Sequence, residues 1–326
     1  MHQYDLTIEI ETTGICNAEC PSCTRFDFLP DKLEMFHKKH ILPKTILDVD
    51  AFTNNLCNII NKDSVQINFE GSFSDPLTHP RILELVKSAC SIENAGVSVK
   101  TNGSLRNKKL YIELAKHLNT RHRQMFFSID GLGERNAIYR RKTNWDKIMS
   151  NAQAFIEASG IATWKAVHFE QHEKDYDEMK KLSTSMGFES FLVHSNRADK
   201  FQQDQIFKLG KEYSPTKINN DVSRDYKEFH QYKTVICRHL DNNYYFIGCD
   251  SKVYACCELW GDMIDSKPSI RRLASKVTYS NSNDISLKEH KFYDIIKNDK
   301  FKKLDNSIRN KPNLLCKKNC RDYVNV

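Results

Sequence analysis

No stretch of the 326-residue sequence approaches the ~20 consecutive apolar residues that a membrane-spanning helix needs. The N-terminus also lacks the apolar core of a signal peptide, which makes the cytoplasm the expected location and gives no reason to expect a membrane partner. Concentrated charge is missing too. The 49 Lys and Arg residues stand against 42 Asp and Glu, a formal charge of +7. They are scattered in short groups such as Arg140-Arg141-Lys142, Arg271-Arg272 and Lys302-Lys303. Nucleic-acid binders gather basic residues on one face, whereas scattered groups read as solvated surface, so nucleic acid is not the expected partner. A hydrophobic content of 40% and a charged content of 28% are ordinary for a globular chain, long enough for one large domain and a smaller one.

Cysteine, by contrast, is plentiful: 11 residues, most of them in tight groups. In an intracellular chain such grouping points to metal rather than to disulfides. Three cysteines fall in Cys16-Asn17-Ala18-Glu19-Cys20-Pro21-Ser22-Cys23, after the alternating apolar residues Leu6, Ile8 and Ile10. The alternation reads as a buried strand, which puts the cysteines on the loop leaving its C-terminal end. Three thiolates suit a soft metal centre but fill only three of the four positions of a cubane cluster, leaving one for another ligand. The alternative is a closed zinc site with His37 or His40 as fourth ligand.

Residues 31–47 are polar and irregular and are expected to cover this loop. A helix is expected from Asp48 or Asp50, either of which can cap it, with Val49, Phe52, Leu56, Ile59 and Ile60 on one face. A strand over 65–69 follows, then a helix after Pro80 that aligns Ile82, Leu85, Val86, Ala89 and Cys90. Cys90 and Cys57 read as packing residues. The alternation continues with strands over 97–100, 125–130, 163–169 and 188–194, separated by helices over 107–118, 145–158 and 176–186. Six strands alternating with helices imply a parallel sheet, because parallel neighbours need crossovers. Six units are too few to close an eight-stranded barrel. The expected fold class is therefore α/β, a partial (β/α)6 TIM-like barrel with its active-site loops at the C-terminal strand ends. The barrel is expected over 1–195, a connecting segment over 196–235, and a small cysteine-rich domain over 236–326.

The Cys-x3-Cys-x2-Cys spacing after a first strand resembles the signature of the radical SAM enzymes. The resemblance implies a [4Fe–4S] cluster on Cys16, Cys20 and Cys23, with S-adenosylmethionine (AdoMet) chelating the fourth iron through its amino and carboxylate groups. It implies that an electron from the cluster cleaves AdoMet to a 5′-deoxyadenosyl radical, which abstracts hydrogen from substrate. After the second barrel strand, Gly71-Ser72-Phe73-Ser74-Asp75-Pro76 resembles the family's Gly-Asn-Tyr-Gly-Asp-Pro loop, which meets the methionyl amino group. Ser74 stands where that loop has glycine. Thr101-Asn102-Gly103 is similar to the family's third strand end, beside the cofactor. Ser128-Ile129-Asp130-Gly131, followed by Arg140 or Arg141, is similar to the serine and later arginine that bind the cofactor carboxylate or ribose. A planar guanidinium suits a carboxylate. The resemblance thus implies Ser74, Asp75, Thr101, Asn102, Ser128, Asp130 and Arg140 as cofactor-binding residues, with Arg141 competing for the last role. Ser22 stands where the family often has an aromatic residue, so any stacking on adenine comes from elsewhere. His168, Glu170, His172 and His194 are candidates to face substrate from strand ends.

The C-terminal region contains Cys237, Cys249, Cys256, Cys257, Cys316 and Cys320. Residues 249–257 resemble a hairpin of the SPASM and Twitch domains, the auxiliary-cluster modules of some radical SAM enzymes. A full SPASM domain needs more cysteines, and the Cys-x2-Cys-x5-Cys-x3-Cys run of its second cluster is missing, so the resemblance implies a Twitch-like module with one auxiliary [4Fe–4S] cluster. Its expected ligands are Cys237, Cys256, Cys316 and Cys320. Cys257 neighbours Cys256 on an extended chain and should point the other way. Four thiolates complete a cluster, leaving no iron for substrate and implying electron transfer or a structural role. A four-cysteine zinc site is the alternative.

The expected function is hydrogen abstraction from a peptide, a protein or a small polar metabolite, supplied with electrons by an external donor such as flavodoxin or ferredoxin. The first strand begins almost at once, so no peptide-recognition domain is expected before it. A non-catalytic zinc protein that contacts nucleic acid is the alternative function, and it leaves the strand-end residues without a role.

Overall fold

Period-two alternation gives each barrel strand two unlike faces. Leu6, Ile8 and Ile10 of β1 (Leu6–Ile10) lie on one face with Val65, Ile67 and Phe69 of β4 (Val65–Phe69). Val97 and Val99 of β5 (Ala95–Thr101), Met125 and Phe127 of β6 (Arg123–Ser128), and Trp164 and Ala166 of β7 (Ala162–Val167) continue that face, and all are buried. Each fully buried Leu, Phe or Met is worth roughly 1.5–3 kcal/mol. A one-residue slip would turn this whole set over, so the apolar face fixes the register. The other face is polar: pairing places Glu9, Asn68, Ser98 and Gln124 in one row across β1, β4, β5 and β6. Within that row Ser98 Oγ donates to Asn68 Oδ1 at 2.7 Å.

The computed structural model describes residues 4–20, 23, 25–29, 34–37, 45–60, 64–167, 175–194, 237–257, 259–260, 283–310 and 316. Its main sheet has the strand order β10-β9-β1-β4-β5-β6-β7-β8, where β8 is Ser190–His194, β9 is Tyr244–Ile247 and β10 is Val253–Tyr254. Strands β1 and β4 to β8 are mutually parallel, the partial (β/α)6 barrel that the alternation implies. The C-terminal hairpin is part of the same sheet: β9 runs parallel to β1, from Thr7↔Tyr244 to Ile10↔Ile247, and β10 returns antiparallel. Its turn uses Ser251 with a φ of 63°.

Helix α1 (Val49–Phe52) is capped by Asp48, whose carboxylate accepts from the Asp50 and Ala51 amides. The expected straight helix to residue 60 does not form. A π-helical turn over Thr53–Cys57 follows instead and ends before Ile59 and Ile60, of which Ile60 is still buried in the core. Helices α2 (Ile82–Cys90), α3 (Lys108–Ala115), α4 (Asn136–Tyr139), α5 (Trp145–Glu157) and α6 (Tyr176–Met186) follow. In α2 the aligned residues Ile82, Leu85, Val86, Ala89 and Cys90 are all buried, as is Cys57 before it. Helix α6 ends on Gly187, whose φ of 88° is the left-handed conformation favoured at a C-cap. The segment expected to be irregular contains an antiparallel hairpin, β2 (Phe26–Leu29) with β3 (Glu34–His37). No helix among the described residues is long and apolar enough to cross a membrane.

Candidate active site

Four loops meet at the C-terminal ends of β1, β4, β5 and β6. The first carries the three cysteines and is fastened by two backbone bonds to its neighbours and by one side-chain bond within itself. Asp75 N donates to Ile15 O at 3.0 Å, Glu19 N to Arg141 O at 3.0 Å, and Arg25 Nη1 to Ala18 O at 3.0 Å. Cys16, Cys20 and Cys23 line one cavity of about 190 Å³. Six of the expected cofactor residues line it with them: Ser74, Asp75, Thr101, Asn102, Ser128 and Arg140.

Burial pushes the Cys16 thiol up to about 12, with Asp75 adding to the shift, and the Cys20 thiol up to about 11; the Cys23 thiol is raised by burial as well. Thiolates form here when a metal displaces their protons, so metal binding releases protons and strengthens as pH rises. Among the described residues no three His, Cys, Asp or Glu side chains converge closely enough to hold a single metal ion. A cubane spreads its thiolates over separate irons, so a shared cavity rather than a single point of convergence is the geometry it requires. The described lining has no fourth cysteine and no histidine, which fits a cluster with one iron open.

Asp75 ties two of the loops together. Its Oδ1 accepts from Leu77 N at 3.0 Å and its Oδ2 from Asn102 N and Asn102 Nδ2, both at 2.8 Å; the Thr101 hydroxyl lies 3.0 Å from each oxygen. Asn102 Nδ2 also donates to Asn17 Oδ1 at 2.8 Å and lies 3.8 Å from Cys16 Sγ, joining the third strand end to the cysteine loop. Ser74 turns its hydroxyl to Glu11, which also accepts from the Ser72 and Phe73 amides. Gly71 closes this loop tightly: a Cβ built there would meet Ser74 O at 1.6 Å. Gly71→Ala is therefore expected to displace the loop. The measurement is hydrogen exchange of the peptide spanning 71–75, which should be faster in the variant than in the wild type.

Arg140 and Arg141 are separated by the structure. Arg140 lines the cavity, its side chain 19% exposed, while the Arg141 carbonyl is occupied by Glu19. One member of the basic triplet is thus a site residue rather than solvated surface. Arg140 Nε donates to Asp130 Oδ2 at 2.5 Å, and Nη1 lies 4.0 Å from Cys20 Sγ. Burial works against the Arg140 charge, but the adjacent Asp130 carboxylate holds its pKa above the ordinary value. Asp130, implied as a cofactor residue, is instead fully buried behind the cavity wall. Its Oδ1 accepts from Val167 N at 2.7 Å, and its own amide donates to Asn136 Oδ1 at 2.9 Å.

Among solved structures, native anSMEcpe with bound AdoMet matches 97% of this chain and 89% of its own length, with a TM-score of 0.54 at 13% identity. The same protein with bound AdoMet and a Cp18Cys peptide matches with the same TM-score, identity and coverage. The chain shares its fold with these proteins, which are radical SAM enzymes. No family model matches the chain, and no curated protein matches it in sequence.

Beyond the cysteine loop, four of the C-terminal cysteines influence one another electrostatically. The Cys256 thiol is pushed well above its ordinary value, by burial first and then by Cys257, Cys316 and Cys237. Cys237 and Cys316, two of the expected auxiliary ligands, thus lie within electrostatic range of Cys256, as does Cys257. Cys320 lies outside the described residues. Cys249 is elsewhere: fully buried, with its sulfur 3.7 Å from the Thr45 hydroxyl. A ring contact joins the two regions, Phe73 of the cavity wall packing edge-on against Trp260 at 5.2 Å.

Ser22, His168, Glu170 and His172 lie outside the described residues, and His194 closes β8. Two features escape a sequence reading. One is Glu11, a fully buried acid that continues β1 past its apolar alternation. The other is the Lys100–Glu70 ion pair on the cavity wall, each side chain 25% exposed. A signal existed for the second: Glu70, one residue past β4, and Lys100, one residue before the end of β5, both continue the polar alternation of their strands.

Proposed function

We propose that the chain is a radical SAM enzyme, with a [4Fe–4S] cluster on Cys16, Cys20 and Cys23 and AdoMet in the adjoining cavity. The observation that carries this reading is the shared cavity itself. Three thiols and one charge-stabilised arginine line it, and no fourth cysteine or histidine does so among the described residues. When bound, the cluster supplies the electron that cleaves AdoMet to a 5′-deoxyadenosyl radical able to take hydrogen from an unactivated C–H bond. Arg140 offers its guanidinium to the AdoMet carboxylate, while Asp130 keeps that guanidinium oriented and charged. The Gly71–Asp75 loop offers backbone carbonyl oxygens to the amino group, and Asp75 fixes the loop's shape. Asp75 and Asn102 lock this loop to the cysteine loop, so cluster and cofactor are held in one register.

Cys237, Cys256, Cys316 and Cys320 are proposed to hold an auxiliary [4Fe–4S] cluster that accepts or passes electrons. The substrate is proposed to be a peptide, a protein or a small polar metabolite. The likeness to peptide-bound anSMEcpe supports the peptide reading, and the polar inner row of Glu9, Asn68, Ser98 and Gln124 suits any polar substrate. An external flavodoxin- or ferredoxin-like donor would supply the first electron. The test is formation of 5′-deoxyadenosine from AdoMet by reconstituted, dithionite-reduced protein. Cleavage that depends on all three cysteines supports the proposal. Absence of cleavage in protein that carries its iron contradicts it.

A further inference from the structure

We infer that Glu11 is a positioning residue for the cofactor loop, holding 71–75 in the shape that meets AdoMet. The inference rests on the AdoMet reading above. Glu11 is fully buried just past the end of β1. One carboxyl gathers three successive residues of the loop. Oε2 accepts from Ser72 N at 2.7 Å and from Phe73 N at 3.1 Å, and Oε1 accepts the Ser74 hydroxyl. The anchor is itself fixed, because Glu11 N donates to Ile247 O at 2.9 Å and ties it to the end of β9. This arrangement gives Ser74 a role in place of the glycine of similar loops: its hydroxyl is a strut reaching back to β1.

Removing the acceptor would take the Glu11 oxygen away from two partly buried backbone amides, and a donor shielded from water is costly to leave without its acceptor. What the loop takes from Glu11 is acceptor oxygens in a fixed place. Burial raises its pKa to about 8, with Ser74, Phe73 and Ser72 opposing and Glu9 adding to the shift. A glutamine keeps the shape and an acceptor oxygen, and it presents an N–H to the Ser74 oxygen. A leucine keeps the bulk and removes every acceptor.

The experiment compares wild type, Glu11→Gln, Glu11→Leu and Ser74→Ala as full-length, reconstituted protein. It records iron content, hydrogen exchange of the peptide spanning 71–75, and the KM for AdoMet in 5′-deoxyadenosine formation. The leucine variant should exchange faster across 71–75 and raise the KM about tenfold or more, with iron content and kcat little changed. The glutamine variant should stay within about threefold of wild type, and Ser74→Ala, which removes one strut of three, should fall between them. Two results overturn the inference and leave the cofactor reading intact: a leucine variant with wild-type exchange and KM, or a glutamine variant as impaired as the leucine one. If the leucine variant fails to fold, the decision passes to Ser74→Ala, where wild-type exchange and KM overturn the inference. A wild-type cluster whose electron paramagnetic resonance spectrum does not respond to AdoMet overturns the cofactor reading and, with it, the inference.

Discussion

Asp130→Ala is expected to lower the unfolding free energy by about 3–5 kcal/mol, the usual cost of leaving a buried charge without its partner. The substitution leaves the Arg140 guanidinium in a wall where it is only 19% exposed, and it also deprives the Val167 amide of its acceptor. AdoMet-dependent activity should fall with stability, because the freed guanidinium no longer has a fixed direction. A double variant sharpens the test. Asp130→Leu with Arg140→Met removes both charges together and should recover much of the lost stability but none of the AdoMet affinity. Urea midpoints and AdoMet titrations of the two proteins separate the effects. A stable Asp130→Ala variant with wild-type AdoMet affinity would show that the pair serves neither purpose.

Asp75→Asn should be nearly as damaging as Asp75→Ala, which is unusual for an isosteric change. Both Asp75 oxygens are acceptors: Oδ1 serves the Leu77 amide, and Oδ2 serves both nitrogens of Asn102. An asparagine can satisfy only one side and turns its NH2 toward donors on the other. Either substitution orphans at least one buried amide, a cost on the order of 1–3 kcal/mol for each such group. The two loops that Asp75 joins would then separate, and with them the Asn102 contact to the cysteine loop. Equilibrium unfolding and the KM for AdoMet should both respond. Glu11→Gln provides the contrast, since there both amides share one oxygen and the other faces a hydroxyl, which can accept from the new N–H.

The parts of the fold that were legible in the sequence are those written in local patterns. Period-two runs marked the parallel strands, and α2 was given residue by residue by its apolar spacing. The Cys16, Cys20 and Cys23 loop was legible because its spacing is short and sits directly after a strand. Pairing of β9 with β1 was not, because residues from opposite ends of the chain leave no local signal when they pair. The π-turn over Thr53–Cys57 was hidden because the apolar residues still suggested a regular helix. At the site, spacing selected Asp130 but could not tell a cofactor contact from the buried partner of Arg140. Glu11 continued the polar alternation of Thr7 and Glu9 one residue past β1, a pattern that does not tell what it binds. A lone acid after a strand acquires meaning only when the 71–75 loop folds back onto it.

The central claim is that the Cys16, Cys20 and Cys23 loop holds an iron–sulfur cluster, and metal analysis tests it most directly. Iron, sulfide and zinc are measured in anaerobically purified wild type and in a Cys16→Ala, Cys20→Ala, Cys23→Ala variant. The wild type should carry about eight irons and the variant about four, one [4Fe–4S] cluster for each cysteine set. Zinc in both sets, with no iron taken up on reconstitution, would contradict the account.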